Sequence, residues 1–539
     1  MCCIASAQSF VCSLLIYLDA LLRSVAPCRT VPRGSLLVSA SLCVAWLGLV
    51  VLLSVDAGVV AAASASGGRQ AWSSQAFLIL SCIFLIGFFR SWLRSMRARH
   101  TLKGQILTPC HSLEQLRDAA AQAGRPLIRF AILVPARGES RVIANTMIHL
   151  SAIHYDCRYL DVYVIADSRE QATHSEPATA TIAMDWADRL NRSLGRPVFH
   201  VLQVPDDYDG RHLTAGAPSL ASSKGRALNY ALEHLQAVAR LPDLIGVLDA
   251  DGRLHPDVLL EAGWRHLVHG SLVLQGPVFQ ISNLDRVDLF GVMAGIELSI
   301  YHLSCLATQL HSRRLYPRFL AGTNYFICPH RLLAAGGWRS QALVEDADLG
   351  LRLFLGQRLR ADWLPCPELE QTAPSLSVYL KQRHRWALGH LQLLPQIHQA
   401  SLHGFAKLRL YWQVLRFLVS SPLTVVLPLL GWALVLFQPP PFTASWPAAL
   451  SLLLFLLSLY TWDDFGRGLR LLNLQAPRPL CWWRVLAISL ALMALMPCLM
   501  VVQLIPRLRA LCDFLFSSRV RLQQVAWYKT ERSIEDVGC

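Results

Sequence analysis

The sequence predicts an α/β domain of Rossmann-like type held between transmembrane helices, and three observations carry that expectation. Charged residues are only 16% of the chain and hydrophobic ones 53%, against roughly 25% charged in an ordinary soluble domain. Uncharged runs long enough for a bilayer, which needs about 20 apolar residues per helix, occupy both ends. Between Phe89 and Phe417, apolar runs alternate with helical patterns, the signature of strands buried on both faces of a parallel sheet.

The first runs are Leu36 to Val55 and Ala71 to Phe89. Arg23, Arg29 and Arg33 precede them, Arg69 lies between them, and Arg90, Arg94, Arg97, Arg99 and Lys103 follow. Cytoplasmic loops carry the basic excess, so the pair reads as an outward hairpin and the central domain as cytosolic. Three further spans are expected at Phe417 to Phe437, Trp446 to Trp462 and Val485 to Pro506. The chain then divides into an N-terminal membrane region (1–100), a cytosolic domain (101–400), a C-terminal membrane region (401–516) and a basic tail (517–539). That is a multi-pass protein of the plasma or inner membrane.

The formal charge of +14, from 50 basic and 36 acidic residues, would suit nucleic acid. Much of the excess flanks the apolar runs, so the expected partner is the lipid bilayer with its anionic headgroups, and not nucleic acid. The 15 cysteines contain no CxxC pair and read as reduced packing residues rather than zinc ligands.

Strands are expected at 127–135, 160–167, 197–204, 244–249 and 271–278, with helices near 140–152, 176–194, 224–239 and 256–268. In such a domain ligands bind at the carboxyl ends of the strands. Glu139 follows the first strand, Asp167 ends the second, and Asp249 and Asp251 end the fourth.

The usual phosphate cradles are absent. "VPARGES" stands where a GxGxxG would follow the first strand, and no GxxxxGK[ST] occurs. A cation would then have to hold a diphosphate. Two carboxylates one residue apart, Asp249 and Asp251, can bind a hard divalent ion whose open positions take phosphate oxygens. The competing account is a turn, a common task for Asp before Gly.

Two later stretches add to the pair. Glu345, Asp346 and Asp348 open an amphipathic helix, where they either serve chemistry or favour the helix dipole. Gln382, Arg385 and Trp386 lie in "SVYLKQRHRWALGH", either as part of a site or as an interfacial helix with snorkelling cations.

In this order the motifs resemble the catalytic region of membrane-embedded family 2 glycosyltransferases of GT-A fold, the branch of cellulose, hyaluronan and mannan synthases. The resemblance spans roughly residues 128–390 and matches a first Asp, a DxD, an (E)D and a QxxRW to Asp167, to Asp249 with Asp251, to Glu345 with Asp346, and to Gln382 with Arg385 and Trp386. "SKGRALN" is similar to a family lysine stretch through Lys224 and Asn229, and "WYKTER" (527–532) to a family tail. The chain departs from the pattern at Gly138 and in "DSREQAT".

The resemblance implies a metal-dependent, inverting hexosyl transfer from a nucleotide sugar, UDP-glucose by default. Asp249 and Asp251 would hold Mg²⁺ or Mn²⁺. Asp346, beside Glu345, would be the general base. Glu139, Asp167, Lys224, Asp249, Gln382 and Arg385 would bind the donor, and Trp386 the acceptor. The expected product is a growing β-linked polysaccharide; the alternative is one sugar added to a lipid acceptor. A transporter that only binds a nucleotide is disfavoured, because no span carries the buried charges of a transport path.

Overall fold

The computed structural model describes residues 111–170, 177–210, 221–302, 319–415 and 479–516 apart from isolated positions, together with 472–473. All of them belong to one of the two compact units of the chain, 83–432 with 458–539. The expected spans at 36–55, 71–89, 417–437 and 446–462 lie outside the described residues. Among those described, no helix is long and apolar enough to cross a membrane. The 485–506 run lies within a 35-residue helix, Trp482–Phe516, whose side chains at 489–501 are also outside the described set.

The strands in chain order are β1 (Phe130–Ala136), β2 (Leu160–Asp167), β3 (Phe199–Val204), β4 (Leu244–Val247), β5 (Arg253–Leu254), β6 (Val273–Gln275), β7 (Val278–Gln280), β8 (Tyr325–Ile327), β9 (Asp362–Trp363) and β10 (Glu368–Glu370). The helices are α1 (Leu113–Gln122), α2 (Ile143–Ser151), α3 (Thr179–Leu194), α4 (Lys224–Ala237), α5 (Val258–His269), α6 (Pro329–Ala334), α7 (Glu345–Gln357), α8 (Leu376–Leu391), α9 (Leu394–Gln399) and α10 (Trp482–Phe516). Residues 404–415 are helical as well.

A seven-stranded sheet has the order β3-β2-β1-β4-β8-β6-β9. Strands β3, β2, β1 and β4 are parallel. Their apolar runs are continuous because both faces are covered. Phe130, Ile132 and Val134 of β1 pack with Ile143 and Met147 of α2 and Val258 of α5. Ala131 and Leu133 turn to the other side, against Leu228, Ala231 and Leu232 of α4. Fully burying side chains of this size is worth roughly 1.5–3 kcal/mol each, so this double-sided core holds the sheet.

Two expectations need correction. The sheet is not wholly parallel, since β8 runs antiparallel to both β4 and β6. The predicted strand 271–278 is split by Gly276 and Pro277 into β6, in the large sheet, and β7, in a three-stranded sheet of order β5-β10-β7. Gly276 leaves no room for a side chain, as a Cβ there would lie 2.2 Å from Asn324 Nδ2.

Helices α4 and α8 start at side-chain caps. Ser223 accepts from the Arg226 N–H at the head of α4, and Ser375 from Val378 at the head of α8, each satisfying a donor that the first turn leaves open. Helix α8 then packs on α10 through Ala387, Leu388, Leu391 and Ala510, and His384 Nε2 meets Asp513 Oδ2 at 2.7 Å. Among the described residues, Cys157, Cys328, Cys366, Cys481 and Cys512 form no disulfide.

Candidate active site

Strand order places the site. From β1 the chain moves outward through β2 and β3, then returns to place β4 on the other side of β1. The crevice outside the carboxyl ends at such a reversal is where α/β sheets bind ligands. Glu139, Asp167 and Asp249 follow or end β1, β2 and β4 at that edge.

Asp249 and Asp251 follow β4 in a tight turn, closed by the Gly252 N–H donating to Asp249 O at 2.9 Å. The turn expected for Asp before Gly is thus formed, and it carries both carboxylates. Thr323 holds the turn from below: its Oγ1 accepts from the Asp249 N–H at 3.0 Å and donates to Glu368 at 2.7 Å. A Cβ on Gly252 would lie 2.1 Å from Glu368 Oε1, so glycine is the residue that lets this carboxyl approach. Asp251 is buried and accepts from the Gln371 N–H at 3.0 Å.

The small sheet brings a third carboxylate. Strand β10 pairs with β5, which follows the DxD directly, and with β7. Carboxylate oxygens of Asp249, Asp251 and Glu370 thereby come within 4.8 Å of one another. Behind them, burial, and then the charges of Glu370, Asp249 and Asp251, push Glu368 well above the usual carboxyl range against the Thr323 hydrogen bond.

Opposite stands the start of α7. Glu345 is buried, and burial followed by the neighbouring Asp346 pushes it up to about 7, against the Lys224 and Arg385 cations. Burial raises Asp346 too, against the backbone N–H of Ala347 and the Lys224 cation. Gly322, at φ +85°, makes room for this carboxyl: a Cβ there would lie 3.1 Å from Asp346 Oδ2 and 3.8 Å from Lys224 Nζ.

Lys224 joins the two halves. Its ammonium is paired with Asp249 Oδ1 and donates to Gly322 O at 2.8 Å. Burial alone would lower its pKa, but Asp249 and Glu345 outweigh that and hold it above the usual lysine value. It stays a cation at every physiological pH. On α8, Gln382 is buried and Arg385 lies three residues on, on the same face. Arg385 Nη1 donates to Leu343 O at 3.1 Å, two residues before Glu345.

Other predicted residues lie at the edge. Asp167 accepts from Arg169 at 3.0 Å and from Ser222, two residues before Lys224. Burial would raise it, yet those hydrogen bonds hold it down at about 2. Glu139 is buried, with its N–H donating to Thr179 Oγ1 at 2.7 Å. Trp386 is partly buried against Val344, Ala347 and Leu351, with the Arg383 guanidinium 4.6 Å from its ring centre. Asp348 faces away from the acidic pair, into Arg352 Nε at 2.7 Å and Arg339 at 3.2 Å. Asn229 exchanges hydrogen bonds with the Trp338 backbone. Both are structural.

The family model described as glycosyl transferase family group 2 matches residues 244–516, a little more than half of the 539-residue chain. The chain belongs to this family. The glycosyltransferase is 23% identical over 370 residues to a beta-monoglucosyldiacylglycerol synthase of Trichormus variabilis, covering 66% of this chain and 67% of that one. With the synthase of the same description from Synechocystis sp. it shares 23% over 273 residues, 50% of this chain and 49% of the other. Among solved structures, a mannosyltransferase from Pyrobaculum calidifontis in complex with GDP-Man and Mn²⁺ aligns at 13% identity over 80% of this chain and 100% of that chain. Its TM-score is 0.40, and the α/β fold rests on the strand order itself.

Three residues of the candidate site escape a reading of the sequence: Glu370, Glu368 and Thr323. "PELEQTAP" does carry two glutamates in an apolar setting, a signal that buried charge demands a reason. The donor set of Asp249, Asp251 and Glu370 is all oxygen and carries three formal negative charges, with Asp251 and Glu370 buried. It fits a hard divalent cation.

Proposed function

We propose that this glycosyltransferase moves a hexose from a nucleotide diphosphate sugar to a hydroxyl of a membrane lipid, with UDP-glucose and diacylglycerol as the default pair. The observation that carries the chemistry is the pairing of two opposed groups of carboxylates across Lys224: Glu345 with Asp346 on one side, and Asp249, Asp251 and Glu370 on the other. The lipid acceptor is favoured over a growing polysaccharide by the relatives, which are described as synthases of a glucosyl diacylglycerol.

In this reading Asp346 takes the proton of the acceptor hydroxyl as its oxygen attacks the anomeric carbon. The bond from that carbon to the diphosphate breaks on the opposite face, and the nucleoside diphosphate departs with both electrons. One displacement inverts the centre. Burial raises the basicity of Asp346, and Glu345 beside it is coupled to the same site. Lys224 and Arg385 place fixed positive charge where the leaving group becomes negative. Gln382 supports the donor from α8, Glu139 and Asp167 contact its nucleoside part, and Trp386 offers a ring edge to the acceptor. Asp249, Asp251 and Glu370 would hold Mg²⁺ or Mn²⁺, which when bound neutralises charge on the diphosphate.

The apolar runs at both ends, including 485–506, would keep this domain on the cytosolic face of a membrane. The test is to supply membranes containing the full chain with a panel of labelled UDP- and GDP-sugars. One organic-extractable glycolipid is the expected product. A water-insoluble ladder of chain lengths would return the polysaccharide reading.

A further inference from the structure

The stretch "DSREQAT", which begins at the end of β2 and departs from the family pattern, surrounds Asp167 in a way that the transfer reaction leaves unexplained. Four donors fill this carboxylate. The Arg169 N–H and Nε donate to Oδ1 at 3.1 and 3.0 Å. Arg169 Nη2 donates to Oδ2 at 3.0 Å, and so does the Ser222 hydroxyl. A carboxylate offers about four acceptor positions, so a ligand N–H reaches Asp167 only by displacing one of these partners.

The Arg169 side chain is the partner that can leave. It is 28% exposed, whereas the residues on either side of it are clamped. Ser168 Oγ donates to Val204 O at 2.7 Å. Glu170 accepts from the Gly138 N–H at 2.7 Å and from the Thr179 N–H and hydroxyl at 2.8 and 2.7 Å. The chain's other departure from the pattern, Gly138, is thus tied to the same segment. Rotation of the Arg169 side chain alone leaves that segment, and the bond from the Arg169 N–H to Asp167, in place. Behind Asp167 stands Arg226, whose side chain is 1% exposed, with Nη1 3.7 Å from Oδ2 and Nε donating to Tyr208 O at 2.9 Å. Arg226 and Ser222 therefore still support the ionised carboxylate once the Arg169 guanidinium has turned away.

We infer that Arg169 is a placeholder for the nucleobase: its guanidinium closes Asp167 and is exchanged for a ring N–H of the base when the nucleotide sugar binds. The inference rests on the reading that Asp167 contacts the nucleoside, and it adds what the base must carry. Uracil presents a ring N–H at N3, which can replace the guanidinium on the carboxylate. Cytosine has a bare acceptor at the same position, and two acceptors facing each other leave both unsatisfied. Every binding event must also open a charge-assisted, two-pronged pair, so Arg169 lowers affinity for all bases and only a ring N–H recovers part of the loss. Arg169 is in this sense a specificity-determining residue that never touches the reacting atoms.

The experiment titrates UDP and N3-methyl-UDP, which lacks the ring N–H, into the full chain in detergent with Mn²⁺ present, and reads affinity by calorimetry. Wild type is compared with Arg169→Met, Arg169→Lys, Asp167→Ala and the double variant Asp167→Ala/Arg169→Met. Arg169→Met should bind UDP at least about tenfold more tightly than wild type, because a charge-assisted pair no longer has to open. Arg169→Lys, which keeps the charge but not the two-pronged contact, should fall between them. The gain should be clearly smaller for N3-methyl-UDP. In the Asp167→Ala background, Arg169→Met should change nothing, as expected of two groups that act through one contact. Unchanged or weaker UDP binding by both Arg169 variants, or an equal gain for the two ligands, would overturn the placeholder and leave the donor reading standing. Failure of wild type and Arg169→Met alike to bind UDP would overturn the uridine donor and the placeholder together.

Discussion

Glu345→Gln should move the acid limb of the pH profile to lower pH while leaving catalysis in place. In the wild type, Glu345 rises from 4.5 to about 7 through burial and the Asp346 charge, roughly 3 kcal/mol against its ionised form. Asp346 rises too, and such a pair loses its protons in coupled steps. The base is needed without its proton, so kcat/KM, which reports the free enzyme, should climb with pH as the pair loses its protons. The substituted amide keeps the shape of the side chain but removes the negative neighbour. Where the two charges coexist Asp346 then ionises more readily, and the limb should fall. The assay is initial rate at low donor concentration from about pH 5 to 9, spanning the expected limb, with folding followed by circular dichroism. A limb that stays in place or moves up would refute the coupling. Loss of activity at every pH would make Glu345 itself the base.

Three further outcomes follow from the geometry. Glu370→Gln should weaken Mn²⁺ binding, measured by calorimetry or electron paramagnetic resonance, by at least about tenfold as one charged ligand is lost; unchanged affinity would remove Glu370 from the donor set. Gly322→Ala should lower kcat roughly ten- to a hundredfold, because the new Cβ would crowd Asp346 at a backbone angle of +85°; an unaffected kcat would show that Asp346 needs no such clearance. Asp348→Asn should cost about 3 kcal/mol in denaturant unfolding, since it strands the partly buried Arg352, yet leave turnover per folded molecule near wild type.

What the sequence makes legible follows from the range of the signal. Residues 160–167 read as a strand and form β2 with all eight side chains buried, because burial on both faces writes an unbroken apolar run. Helices α2 to α5 are visible through periodicity. The antiparallel β8 is not, because three residues are too few to carry a period. The 271–278 run looks like one strand because hydrophobicity does not record which sheet a residue joins. Asp249 with Asp251 announces itself by adjacency, whereas the third carboxylate arrives on the strand whose next residue, Gln371, meets Asp251 across 120 residues of chain. Asp348 resembles its neighbours Glu345 and Asp346 in sequence, but the turn of the helix points it toward arginines instead. Local composition cannot separate those cases; three-dimensional placement does.

The most direct test of the account compares wild type and Asp346→Asn in membranes containing the full chain, measuring sugar transfer from UDP-glucose beside binding of the same donor. The predicted result is a loss of transfer of about a hundredfold or more, as expected when a general base is removed, with donor affinity unchanged. Near-wild-type transfer by Asp346→Asn would contradict the assignment of this carboxylate and the mechanism built on it.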